Sequence, residues 1–325
     1  MRTVIALTLV LALALVSLLV GRAGLPPTEI WQGLTGDGDM PAAVIVRELR
    51  LPRTILALAI GAGLGLAGAV LQGLLRNPLA EPGIVGVSGL AALGAVIAFY
   101  SGWSQAFALA LPLGGMLGAA LAAILVLVLA GRAASVVTLI LAGVAVNSLA
   151  GALTALALSL SPNPFALYEI MFWLMGSLSD REWRHVWLAL PPMAIGWAVL
   201  ATTRRGLAAL TLGEASARSL GIDLGRLKLA AVLGTALAVG AGVAVAGAIG
   251  FVGLVVPHLL RPLVGHRPEA LLLPSALGGA LLTLAADIAV RLTGPGPELR
   301  IGVLTALIGA PFFLLMVLRR REAWR

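Results

Sequence analysis

The sequence predicts an all-α protein that crosses a membrane many times. Of its 325 residues, 60% are apolar and 11% charged, where an ordinary water-soluble domain carries about 25% charged residues. Apolar runs long enough to span a hydrocarbon core recur along the chain. These runs are continuous, unlike barrel strands, which alternate over about ten residues. Inside lipid the backbone must satisfy its own hydrogen bonds, so continuous runs are helices.

The first run, about 3–20, follows Arg2 and could be a cleaved signal peptide. It exceeds the usual apolar stretch of about 7–15 residues, which favours a retained first helix. A polar segment then leads to Arg53. It holds Pro26 and Pro27, the turn-forming Gly36-Asp37-Gly38-Asp39, and a basic cluster of Arg47, Arg50 and Arg53. Further runs follow at about 54–75, 84–100, 105–130, 135–160, 186–203, 228–249, 271–290 and 301–318. A shorter one at about 251–264 contains Pro257 and Pro262 and reads as a broken helix. The sum is about ten segments in a single unit, 1–325, without a dividing linker. An even count puts both termini on one side. If that side is cytoplasmic, it carries Arg2, Arg76, Arg132, Arg204, Arg205, Arg218, Arg226, Lys228, Arg261, Arg267 and the tail arginines. Arg22, Arg47, Arg50, Arg53, Arg181, Arg184, Arg291 and Arg300 fall outside. The excess follows the positive-inside rule, although Arg47, Arg50 and Arg53 sit where that rule disfavours them.

Two connecting segments stand out. The outer one, about 161–185, starts Ser161-Pro162-Asn163-Pro164 and reads as a kinked exit followed by a short interfacial helix. The inner one, about 204–227, repeats Leu207, Leu210, Ala217 and Leu220 at helical spacing and sets Glu214 and Arg218 four apart. It reads as an amphipathic helical hairpin, lying on the membrane surface or serving as a docking surface. Gly61 with Gly65, Gly114 with Gly118, Gly234 with Ala238 and Gly242 with Ala246 give the small-xxx-small spacing that lets helices pack closely in lipid.

The chemistry is sparse. With no cysteine there is no disulfide, thiolate metal site or cysteine nucleophile. The net charge of +8 is almost all arginine, without the basic stripe and interleaved aromatics of a nucleic-acid binder. No Gly-x-x-x-x-Gly-Lys-[Ser/Thr] loop occurs, so hydrolysis of ATP, if transport uses it, belongs to another polypeptide. Ionisable residues inside the apolar runs are scarce. Asp287 and Arg291, four apart, read as an intrahelical ion pair. That scarcity argues against an ion-coupled secondary transporter, which stands as the alternative. A remote alternative is an intramembrane serine protease: Gly86-Val87-Ser88-Gly89 is similar to its nucleophile motif, with His185, His258 and His266 as partners. Three histidines in loops or beside proline do not suggest a fixed haem site.

Longer blocks carry a resemblance. Arg50-Leu51-Pro52-Arg53, then Leu71-Gln72-Gly73 through Arg76-Asn77-Pro78-Leu79-Ala80-Glu81-Pro82-Gly83 and Gly86-Val87-Ser88, resembles the FecCD-type permeases. So does Gly250-Phe251-Val252-Gly253 through Pro257-His258-Leu259-Leu260-Arg261, and so do Asp287 with Arg291 and Glu298 through Gly309-Ala310-Pro311. This family comprises importer permeases for vitamin B12, haem and ferric siderophores. The resemblance implies a homodimer of ten-helix subunits in the bacterial inner membrane, both termini cytoplasmic, working by alternating access. It implies two cytoplasmic ATPase subunits that hold ATP and magnesium, and a periplasmic binding protein. This chain would then be no enzyme and would hold no cofactor or metal. By motif, Arg50, Arg53 and Arg291 match arginines that dock the binding protein, though plain orientation charges are the other reading. Glu214, Ala217, Arg218 and Gly221 match the helices that couple to the ATPase, and 161–185 an outer gate. Asn77 and Leu79 match a cytoplasmic gate, together with Val136 and Val137, where the vitamin B12 permease has small hydroxyl residues. That difference, and the family's make-up, lean the expectation toward an iron chelate.

Overall fold

The computed structural model describes the chain except for residues 1, 22, 37–40, 104–106, 132–134, 162–163, 294–297 and 323–325. The expectations placed on Arg22, Asp37, Gly38, Asp39, Arg132, Pro162 and Asn163 lie outside the described residues, as do the side chains of Arg319, Arg320 and Arg321. All regular structure among the described residues is helical. In chain order it is α1 (Arg2–Leu19), α2 (Pro27–Thr35), α3 (Pro41–Leu74), α4 (Val87–Tyr100), α5 (Ala110–Ala130), α6 (Val136–Ser159), α7 (Pro164–Leu174), α8 (Trp183–Thr202), α9 (Arg204–Leu210), α10 (Glu214–Ser219), α11 (Leu224–Ala246), α12 (Val252–Leu260), α13 (Pro268–Arg291) and α14 (Ile301–Glu322). Among the described residues six stretches are long and apolar enough to cross a membrane: α3, α5, α6, α8 with α9, α11 and α13. Four apolar helical stretches are shorter: 3–19, 87–100, 252–264 and 301–316.

The start of α3 departs from expectation. Its helix begins at Pro41, inside the segment read as polar connection, and passes through a π turn at Ile45–Arg50 before regular α geometry resumes at Leu51. Pro52 explains the detour. It lacks the N–H needed to close an i→i−4 bond, and the wider turn just before it, with Leu51 N–H on the Val46 carbonyl, absorbs the fault. The same turn carries Arg47 and Arg50 to the end of the bundle where α1 and α13 also finish. We call this the arginine end, and the opposite one, carrying α9 and α10, the hairpin end.

Helix α3 is the central post, its membrane-length stretch 83% buried, and α13 packs along it. A side-chain carbon at Gly61 would meet the Gly279 carbonyl, and one at Gly65 the Ser275 carbonyl, so the two backbones touch where the small-residue spacing falls. By contrast α6 is 28% buried. Val137, Leu141, Val144, Leu153 and Leu156 are exposed apolar side chains along it.

Two helices, α4 and α12, start part-way into the bundle. Each follows irregular backbone: 76–86 with a 3-10 turn at Pro82–Val85, and 247–251. Irregular backbone at such depth requires enclosure by protein. Here Pro82, Val85, Gly86, Gly247 and Ile249 are all buried, and the Pro82 ring and the α3 backbone at Gly68 both close on Gly253.

Candidate functional site

At the arginine end, three helix termini converge on four arginines. A helix leaves its last carbonyls without intrahelical donors, and cations there also favour the helix dipole. Arg50 donates Nη1 to the Leu18 and Leu19 carbonyls at 2.7 and 3.2 Å. Arg291 donates Nη1 to the Ser17 and Val20 carbonyls, both at 2.8 Å, and Nη2 to Ser17 Oγ at 2.6 Å. Two arginines thus close the end of α1. Arg47 does the same for α2, donating to the Leu34 and Gly36 carbonyls. Arg53 faces carboxylates instead. Its Nε lies 2.9 Å from Asp287 Oδ1, and its Nη groups bind Glu298. Asp287, fully buried, also pairs with Arg291 at 2.8 Å. The expected Asp287–Arg291 pair is therefore present, as part of a larger buried network. Arg50 and Arg291 are only 5% and 8% exposed.

Behind α7 a cavity of about 450 Å³ is lined by Glu169, Trp173, Asp180, Arg181, His185 and Arg300, among others. Arg300 lies over the Phe172 ring at 5.2 Å. Burial lowers the Arg181 guanidinium from its ordinary value, and neighbouring Asp180 works the other way. On the other side of α7 a second cavity, about 550 Å³ and more open, runs along α14 past Met175, Ala248, Gly302, Ala306, Leu307 and Pro311. No charged side chain lines it among the described residues.

At the hairpin end, α9 and α10 form the expected hairpin. Asp223 caps α11 by accepting from Arg226 N–H at 3.0 Å, and Gly213 and Gly221, both with positive φ, make its turns. Ala217 is fully buried and fills the hairpin's core, while Glu214 and Arg218 pair on its face at 3.4 Å. Leu207 reaches Gly73 at the end of α3, beside Pro268 at the start of α13. The loop leaving α3 turns on Asn77, whose Oδ1 accepts from Leu79 N–H at 2.9 Å. Val136 and Val137 open α6, behind a Ser135 cap, and Val137 is exposed.

A polar clamp ties α3 to α12. Pro257 cannot donate to the Gly253 carbonyl four residues back, which is left without its helical partner. Buried Gln72 fills the gap, with Nε2 donating to the Gly253 and Leu254 carbonyls at 3.4 and 3.1 Å. Arg261 in turn donates to Gln72 Oε1 at 2.7 Å.

Residues 9–319 match the FecCD transport family. The chain belongs to that family. Vitamin B12 import system permease proteins BtuC are among its FecCD-type relatives. That of Vibrio cholerae serotype O1 is 41% identical over 318 residues, 97% of this chain and 93% of the relative. That of Klebsiella pneumoniae subsp. pneumoniae is 41% identical over 316 residues, covering 96% and 92%. A solved structure described as an inward-facing conformation of a metal-chelate type ABC transporter superposes with a TM-score of 0.87 at 34% identity, covering 98% of this chain and 99% of that one. As a FecCD-family permease, the chain is a polytopic α-helical membrane transport protein.

Within this FecCD permease the structure brings Arg50, Arg53 and Arg291 together, with their guanidinium groups turned onto helix ends and carboxylates. It brings the loop of Asn77 and Leu79 to the same end as the hairpin. Sequence reasoning missed Ser17 as an acceptor for Arg291, and it missed the Gln72 clamp. A glutamine within an apolar run is the signal that could have found the clamp. His185, weighed as a partner for Ser88, instead accepts from Glu182 N–H in a helix-capping box, and His258 packs edge-on against Phe312.

Proposed function

We propose that this chain is the membrane-spanning subunit of an ATP-driven importer that moves a cobalamin or a related metal chelate inward by alternating access. The full-length kinship with vitamin B12 permeases carries this reading, and it favours a cobalamin over the iron chelate expected from sequence. The cavity along α14 supports it, because an uncharged wall suits a bulky cargo that must be released rather than held. The hairpin end faces the cytoplasm of the bacterial inner membrane, with both termini on that side, and Glu214, Arg218 and Gly221 meet one of two ATPase subunits while buried Ala217 supports them. Asn77, Leu79, Val136 and Val137 form the inner gate, and α7 with its flanks, 161–185, the outer one. A second copy of the chain covers exposed apolar side chains of α6 and of α14. The arginine end receives the periplasmic binding protein. Because Arg50, Arg53 and Arg291 already have partners within the chain, docking through them requires acidic residues of that protein to displace the α1 carbonyls from Arg50 and Arg291, and Asp287 and Glu298 from Arg53.

The test is co-purification of the chain from its native membrane, followed by reconstitution with the recovered ATPase and binding protein. ATP-dependent uptake of cyanocobalamin in preference to a ferric siderophore or haem is the expected result. Uptake of a ferric siderophore alone would restore the iron reading, and recovery of the chain with no ATPase would overturn the importer assignment.

A further inference from the structure

We infer that Glu81 is the positioning residue that keeps the inner-gate loop in register with the wall of the transport cavity, by fixing the backbone of Phe251. The inference rests on the transport reading above and adds to it the joint between gate and cavity.

Four observations meet at this joint. The Glu81 carboxylate, half-buried in the 76–86 loop, is turned to the Phe251 N–H, and the ring of the next residue, Pro82, packs on Gly253. Among the described residues no cation pairs with Glu81. Its partner is the amino-terminal end of α12, where an acceptor is favoured by the helix dipole. Second, Phe251 has φ of +66°, a left-handed conformation that a bulky residue adopts only when its surroundings impose it. Third, the Phe251 side chain fills the space that a side chain at Gly309 of α14 would need, and Ala248, Ala306 and Ala310 nearby line the cavity. Fourth, Leu79 lies two residues before Glu81, in the turn held by Asn77.

The surroundings leave this joint little freedom. Pro82 packs on Gly253, and the Gln72 clamp holds α12 to α3 on its other side. Leu207 of the hairpin occupies the space beside Gly73, one residue beyond Gln72. A displacement of the hairpin therefore reaches the end of α3, the gate loop and, through Glu81 and Phe251, the wall of α14. Strained residues held by several independent contacts are where two-state elements are found.

The chain has no cysteine, so L79C gives one thiol on an otherwise native protein. The experiment assembles L79C with its ATPase partner in proteoliposomes and measures labelling by a membrane-impermeant maleimide from the hairpin side, with and without ATP, alongside ATP hydrolysis. Labelling should change by about fivefold or more between nucleotide states. Adding E81A should reduce that change to less than about twofold while hydrolysis continues. Adding E81Q, whose amide oxygen can face the Phe251 N–H in the same way, should restore it. If E81A does not assemble, F251G decides, because glycine takes the left-handed conformation without strain but removes the contact with Gly309. It should lose nucleotide dependence as E81A does. Native nucleotide dependence in E81A or F251G, or an assembled E81Q as impaired as E81A, would overturn this inference alone. L79C labelling indifferent to nucleotide without any second substitution would overturn the gate assignment and the inference with it.

Discussion

Arg53 stands 12% exposed between Asp287 and Glu298, with Arg291 closing the far side of Asp287. Removing one partner from such a network leaves the others charged and uncompensated, which costs about 3–5 kcal/mol in comparable buried pairs. Arg53→Ala should therefore lower the thermal unfolding midpoint of the detergent-purified protein sharply, as followed by tryptophan fluorescence, and an unchanged midpoint would show that the network is dispensable. Gln72 offers a second case. Gln72→Leu keeps the volume but strips the Gly253 carbonyl of its donor and Arg261 of one acceptor, a loss of about 1–3 kcal/mol. Faster hydrogen exchange confined to α12 is the expected signature, and native protection there would refute the clamp. At this scale the sequence was half legible. The arginines stood out because the orientation expected from sequence puts them where the positive-inside rule disfavours them. Their partners did not, because Asp287 and Glu298 lie 234 and 245 residues away and no local pattern joins them.

At the scale of elements, the hairpin was legible almost to its ends, since amphipathic spacing and an i,i+4 ion pair are local signals. The small-residue spacing of α3 was equally plain, but which helix it touches was not, because Gly279 and Ser275 belong to a helix two hundred residues further on. The start of α3 was misjudged: the π turn before Pro52 let a polar, charged stretch continue as helix, where a proline reads as a boundary. The exposed pair Glu214–Arg218 contributes only about 0.2–0.5 kcal/mol to its helix. Exchanging the two charges, E214R with R218E, should thus leave the unfolding midpoint where it is. ATP-driven uptake should nevertheless fall steeply, since the surface offered to the ATPase is inverted. Full uptake by the exchanged variant would remove these residues from the coupling surface.

For the whole molecule, composition alone decided the membrane class, and the ordered motif blocks decided the family. The shape of the interior was not legible. The cavity along α14 is walled by the end of α7, by 247–251 and by α14 itself, three segments that meet only after the chain has folded. The short segment at 251–264 was visible, but its prolines do not break it: α12 runs through Pro257 and passes into a 3-10 turn at Arg261–Val264, and the irregular backbone lies before it at 247–251. Transport driven by ATP predicts that uptake into proteoliposomes survives a protonophore and stops when the ATPase subunit carries an inactivated nucleotide site. The reverse pattern would favour the ion-coupled alternative.

The clasp on α1 has a bearing on biosynthesis. The ribosome delivers α1 well before α13, and Arg291 must bind Ser17 across 274 residues of chain. Until then the last carbonyls of α1 have Arg50 alone to close them. A nascent chain interrupted before α13 exposes that unfinished end, together with an Arg53 lacking both of its carboxylates. That open end separates an unfinished copy from a finished one, and it closes when Arg291 reaches Ser17.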